Sequence, residues 1–142
     1  MAQAHKDVAR RILEEVFSEG KLDAADELMA PTAVGHDPAQ PEPSEGVDAF
    51  KQQVAGYRAA FPDIRMTVDD QVAEGDRVAT RWTARGAHDG DLWGIAPTGK
   101  VATVTGITID RFEGDRIAES WTNWDTFGLM TQLGVIPQAA HA

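Results

Sequence analysis

The tetrapeptide Glu-Gly-Asp-Arg occurs twice, at Glu74–Arg77 and Glu113–Arg116, each time between segments that read as strands. A two-residue Gly-Asp loop suits a tight hairpin, because glycine readily takes the positive φ that such turns need. Two hairpins commit the second half of the chain to antiparallel sheet, and their loops set a register. With Gly75-Asp76 as the first loop, Glu74 faces Arg77, Val72 faces Ala79, Asp70 faces Arg81, Val68 faces Thr83 and Met66 faces Arg85. Facing residues share a side of the sheet, so Arg81 falls on the side of Ile64, Met66, Val68 and Val72, and Trp82 on the other. With Gly114-Asp115 as the second loop, Phe112 faces Ile117, Asp110 faces Glu119, Thr108 faces Trp121, Gly106 faces Asn123 and Val104 faces Asp125. A bulge in either hairpin inverts everything beyond it.

The first third reads as helical. Val8, Ile12, Leu13, Val16 and Phe17 share one helical face, with Arg10, Arg11, Glu14 and Glu15 on the other, and Gly20 ends the run. A shorter helix spans about Leu22 to Met29, stopped by Pro31. Residues Gly35 to Gly46, rich in proline and acid, read as a loop. A third helix carries the stripe Val47, Phe50, Val54, Tyr57 and Phe61. Thr126 to Leu133 forms a last short helix, closed by Gly134 and Pro137.

Three N-terminal helices followed by antiparallel strands predict an α+β domain over residues 1–142. A twisted sheet curling around its helices leaves a hollow between them. Trp121, Phe112, Val104 and Ala102 make one sheet face apolar, and Trp124, Ile109, Ile107 and Val101 the other. A sheet apolar on both sides needs two covers, so a homodimer packed through the outer sheet face is expected. The net charge of -10 argues against nucleic acid and anionic membranes as partners. There is no cysteine, no membrane-length apolar run and no signal-peptide stretch at the start, so a cytoplasmic location is the default expectation.

The candidate chemistry gathers around Glu119-Ser120-Trp121-Thr122-Asn123-Trp124-Asp125. Asp125, flanked by Trp121 and Trp124, has two readings. Apolar surroundings would raise its carboxyl toward neutrality and make it a proton carrier. Its position before Thr126-Phe127-Gly128-Leu129 equally suits a helix N-cap. Arg81 would polarise a carbonyl inside the hollow or simply pair with Asp70. His36 and His88 are proton or hydrogen-bond donors, or solvated loop histidines. Tyr57 on its apolar stripe offers a phenol to a ligand or to the core, and Asn123 orients a carbonyl or ends a strand. His5 and His141, near the termini, are expected to be inert. No metal motif and no phosphate-binding glycine loop is present, so neither metal nor cofactor is expected.

The chain resembles the SnoaL-like polyketide cyclase family, within the nuclear transport factor 2-like superfamily. The resemblance rests on Val78-Ala79-Thr80-Arg81-Trp82-Thr83, Gly86-Ala87-His88, Pro97-Thr98-Gly99-Lys100, Gly106 to Phe112, Arg116 to Trp121 and Gln132-Leu133-Gly134, with His36-Asp37-Pro38 after the second helix. It implies a cone-shaped, cystatin-like fold and an apolar or polyketide-like small molecule as ligand. It further implies an aspartate that removes a proton beside a carbonyl, giving an enolate that closes a ring. Carried onto this sequence, Asp125 is the acid/base. Arg81, Asn123 or His36 steadies the oxyanion, and Trp121 and Tyr57 shape the cavity. The superfamily also includes isomerases, dehydratases, epoxide hydrolases and proteins without known catalysis, so fold alone leaves those alternatives open.

Overall fold

The structure is a computed structural model that describes residues 2–136. Pro137 and His141 lie outside the described residues. Helix α1 (Ala2–Arg11) continues into a wider π-helical stretch, Ile12–Ser18, and α2 (Ala24–Leu28) follows. Strand β1 (Met29–His36) comes next, then a two-residue β2 (Ser44–Glu45) and α3 (Val47–Ala60). The second half is β3 (Arg65–Glu74), β4 (Arg77–Ala87), β5 (Val101–Glu113), β6 (Arg116–Trp124) and α4 (Thr126–Leu133). The six strands form one curved sheet in the order β2-β1-β6-β5-β4-β3.

Both Gly-Asp hairpins form, with Gly75 at φ 59° and Gly114 at φ 62°. Two expectations need correction. The sheet is mixed, because β1 runs parallel to β6. Pro31, expected only to stop a helix, sits near the start of β1, where a missing N–H is tolerated. Among the described residues there are four α-helices besides the π-helical stretch, with α4 against β5.

Helix α1 lies on β3 and β4, the π-helical stretch on β3, and α3 on β1. They bury two apolar clusters against one face of the sheet. One holds Ile12, Val16, Leu28, Val54, Phe112 and Ile117. The other holds Leu13, Phe61, Met66, Trp82, Leu129 and Leu133. Among the described residues, no helix is long and apolar enough to cross a membrane.

Candidate active site

A cavity of about 140 Å³ lies between the helices and the inner face of the sheet, a volume close to that of one benzene-sized ring. Phe17, Phe50, Tyr57, Phe61, Trp82 and Trp124 supply its aromatic walls.

Which side chains reach it is decided by two single-residue bulges. In the first hairpin the pairing runs as expected from Glu74↔Arg77 to Asp70↔Arg81, then Asp69 is passed over and Val68 pairs with Trp82. In the second, Phe112 pairs with Ile117, Ala118 is passed over, and Arg111 pairs with Glu119. Beyond that point Asp110 faces Ser120, Thr108 faces Thr122, and Gly106 faces Trp124. Each bulge turns the far part of its hairpin over. Trp82 and Trp124 therefore point inward, against the register read from the loops. Gly106 makes this packing work: a Cβ there would lie 2.4 Å from the Trp82 ring and 2.8 Å from the Trp124 Cβ.

The same inversion moves several expected site residues out of the cavity. Arg81 is exposed on the outer face, with a guanidinium nitrogen 3.9 Å from Asp69. Trp121 also lies outside, stacked on His36 at 5.6 Å and covered by the Arg77 guanidinium at 5.3 Å. Asn123, paired with Ile107, is exposed beside it. Asp125 is exposed and caps α4, its Oδ1 accepting from the Gly128 N–H at 2.8 Å. It does not line the cavity, which corrects the expected placement of the acid. His88 is fully buried away from the cavity, its Nδ1 accepting from the Thr98 N–H at 3.2 Å and its ring 5.4 Å from Phe61. His36 borders the cavity, but its Nε2 turns to Glu119 at 2.8 Å. Tyr57 and Trp124 do line it.

Two carboxyl groups missed as candidates stand at the cavity instead. Asp37, just past β1, accepts four hydrogen bonds: from the Tyr57 hydroxyl at 2.9 Å, Gln53 Nε2 at 2.8 Å, Trp124 Nε1 at 2.9 Å and the Ala39 N–H at 2.8 Å. It ties β1, α3 and β6 together. Burial, and then the neighbouring Asp37 carboxylate, push the Tyr57 phenol well above its ordinary value, so the phenol remains a donor.

Asp110 lies on the inner face of β5 and is 5% exposed. Its one side-chain partner is the Ser120 hydroxyl, which donates to Oδ1 at 2.5 Å. Burial raises its carboxyl to about 6, and the Ser120 bond offsets only part of that rise. The other carboxyl oxygen is left for a ligand. One rung along, Thr80, Thr108 and Thr122 face one another across β4, β5 and β6. The Trp82 Nε1–H, which can only donate, bonds Thr108 Oγ1 at 3.0 Å, and Thr108 and Thr122 share a bond of 3.0 Å. Two hydroxyls sharing one hydrogen bond, with the third partner a donor, leave one hydroxyl hydrogen free. A free carboxyl oxygen and a free hydroxyl hydrogen thus occupy neighbouring rungs, about 7 Å apart along the strand. The alternation carried one signal for this: Asp110 is in phase with Ala102, Val104 and Phe112, an acid on an apolar face.

The model of the SnoaL-like polyketide cyclase family matches residues 7–133. The chain belongs to that family. Among solved structures it resembles IdmH, a candidate polyketide cyclase from Streptomyces antibioticus, at 34% identity and TM-score 0.80, over 92% of this chain and 99% of that one. A candidate polyketide cyclase from Acidithiobacillus ferrooxidans is also 34% identical, with TM-score 0.82 over 92% of this chain and 94% of the other. A Catenulispora acidiphila protein with a ketosteroid isomerase-like fold shares the architecture at TM-score 0.78 and 16% identity, over 92% and 94% of the two chains. No curated protein matches this member of the SnoaL-like family.

Proposed function

We propose that this SnoaL-like chain is a small-molecule enzyme of the cyclase type, working by proton transfer at carbon, with Asp110 as the acid/base. The observation that carries this reading is a buried carboxyl with one free oxygen on the wall of an apolar cavity. An ionised Asp110 removes a proton from a carbon beside a carbonyl. The free hydroxyl of the Thr108–Thr122 pair donates to the oxygen on which the enolate charge gathers. The enolate carbon attacks a second carbonyl carbon and forms the ring bond, and protonated Asp110 returns its proton to the resulting alkoxide. Aromatic walls exclude water, which keeps the carboxyl near neutrality and strengthens each polar contact.

The test uses acetophenone, a one-ring ketone whose methyl protons exchange slowly by themselves. Proton NMR in deuterated buffer follows the loss of the methyl signal. The wild type is expected to accelerate exchange, with a rate that rises as pH passes about 6 and then levels, because the carboxylate is the working form. Asp110→Asn abolishes the acceleration, while Asp125→Asn retains it. Retention in Asp110→Asn, or equal loss in Asp125→Asn, removes the assignment.

We also infer a homodimer formed through the outer sheet face. Val101 and Ile107 on β5 are 51% and 47% exposed there, and Ile109 follows on the same face. Ile107→Glu is expected to halve the mass measured by sedimentation equilibrium, and a wild type that sediments as a monomer rules the pairing out.

A further inference from the structure

A second hollow, of about 600 Å³, lies between α3, the loop before β2, and the turn at Leu92 to Ile95. Tyr57 and Gln53 line both hollows, so the two adjoin at those side chains. Beside them stands Trp93. It is the one non-glycine residue with positive φ among the described residues, at 51°, followed by Gly94 at 87°. Leu92 and Ile95 exchange both backbone hydrogen bonds around it, at 3.0 and 2.7 Å, so Trp93 and Gly94 are the central pair of a tight turn. A left-handed backbone is strained for a bulky L-residue, and glycine or asparagine fill such a place more readily. An indole held there at that expense is 46% exposed. Its ring lies 6.1 Å from Tyr57 and 6.3 Å from Trp124. The Tyr57 and Trp124 rings are each anchored to Asp37, and Trp93 has no such tether.

We propose that this outer hollow is a second subsite of the same ligand, resting on the small-molecule reading above, and that Trp93 is its stacking platform. The inner cavity holds one ring. The outer hollow takes the remainder, a planar portion bearing hydroxyl or carbonyl groups. Gln40, Ser44, Gln52 and Gln53 supply amide and hydroxyl partners there. Glu42 and Asp91 are the charged groups lining it, with no lysine or arginine among the lining residues, so this portion of the ligand is neutral rather than anionic.

The test compares acetophenone with 1,8-dihydroxyanthraquinone by equilibrium dialysis against the full chain. Trp93→Asn suits the turn and removes the platform. It is expected to weaken the three-ring probe about tenfold and to leave the one-ring probe within twofold, while Trp93→Phe recovers most of the loss. Equal affinities for the three-ring probe in wild type and Trp93→Asn overturn the platform. So does an equal loss for both probes, which would mark a general disturbance of the fold. Wild-type binding of acetophenone without the three-ring probe overturns the subsite and leaves the inner cavity standing. Failure of both probes to bind overturns the small-molecule reading beneath it.

Discussion

Asp37 and Asp110 are two carboxyl groups on one cavity, and they are treated in opposite ways. Asp37 accepts four hydrogen bonds from three segments of chain. Asp110 accepts one side-chain bond, from a serine. A carboxylate whose lone pairs are all engaged is a fixed joint, and breaking it frees three side chains. A buried carboxyl with one donor keeps an oxygen in reserve and holds its proton near neutral pH. Proximity to a cavity therefore does not make an acid a proton carrier. The number of donors already spent on it is the better guide.

The contrast can be broken most sharply by exchange kinetics. Asp110→Asn should lower the acetophenone exchange rate about a thousandfold, within the usual range for loss of a general base. Asp37→Ala should cost about 3 to 4 kcal/mol in urea unfolding, since the Tyr57, Gln53 and Trp124 donors lose their acceptor together. If Asp37→Ala unfolds like the wild type, Asp37 is not the joint described here.

The smallest effect carries a sign that only Asp110 predicts. Its folded value, about 6, lies above the ordinary 3.8, so the folded state holds the proton more tightly than the unfolded chain does. Ionisation then costs nothing below pH 3.8, a growing amount up to about pH 6, and its full amount above. Asp110→Asn should be more stable than the wild type at pH 8, by no more than about 3 kcal/mol, with the gain gone at pH 3. A thermal melt series over that span reads it directly, and a pH-independent difference contradicts a buried titrating carboxyl. Gain of stability with loss of turnover is the trade expected of a functional group held where it is uncomfortable.

The helices and both hairpin tips were legible in the sequence because each carries a local mark: a helical stripe, or a Gly-Asp loop between alternating segments. The family and its fold were legible in the longer matching stretches. The cavity lining was not. Asp69 and Ala118 look like any strand residues, yet each shifts the pairing by one and exchanges inward for outward. Arg81, Trp121 and Asn123 were displaced by this alone. Strand β1 escaped for a different reason: it pairs in parallel with a strand far along the chain, so no turn announces it, and Pro31 reads as a stop. Asp37, just past its end, was missed as a candidate with it. Asp125 shows two local readings in competition, and the cap prevailed because the carboxyl sits beside the free N–H of Gly128.

The extra residue at Ala118 makes the interior of this protein unusually easy to rewrite. A point substitution alters a single tile of the wall. Closing the bulge, so that Ala118 pairs with Arg111, would rotate a whole row, trading Ser120, Thr122 and Trp124 for Trp121 and Asn123 in one step. Gain or loss of a bulge can thus give this scaffold a new chamber chemistry without passing through each intermediate lining in turn.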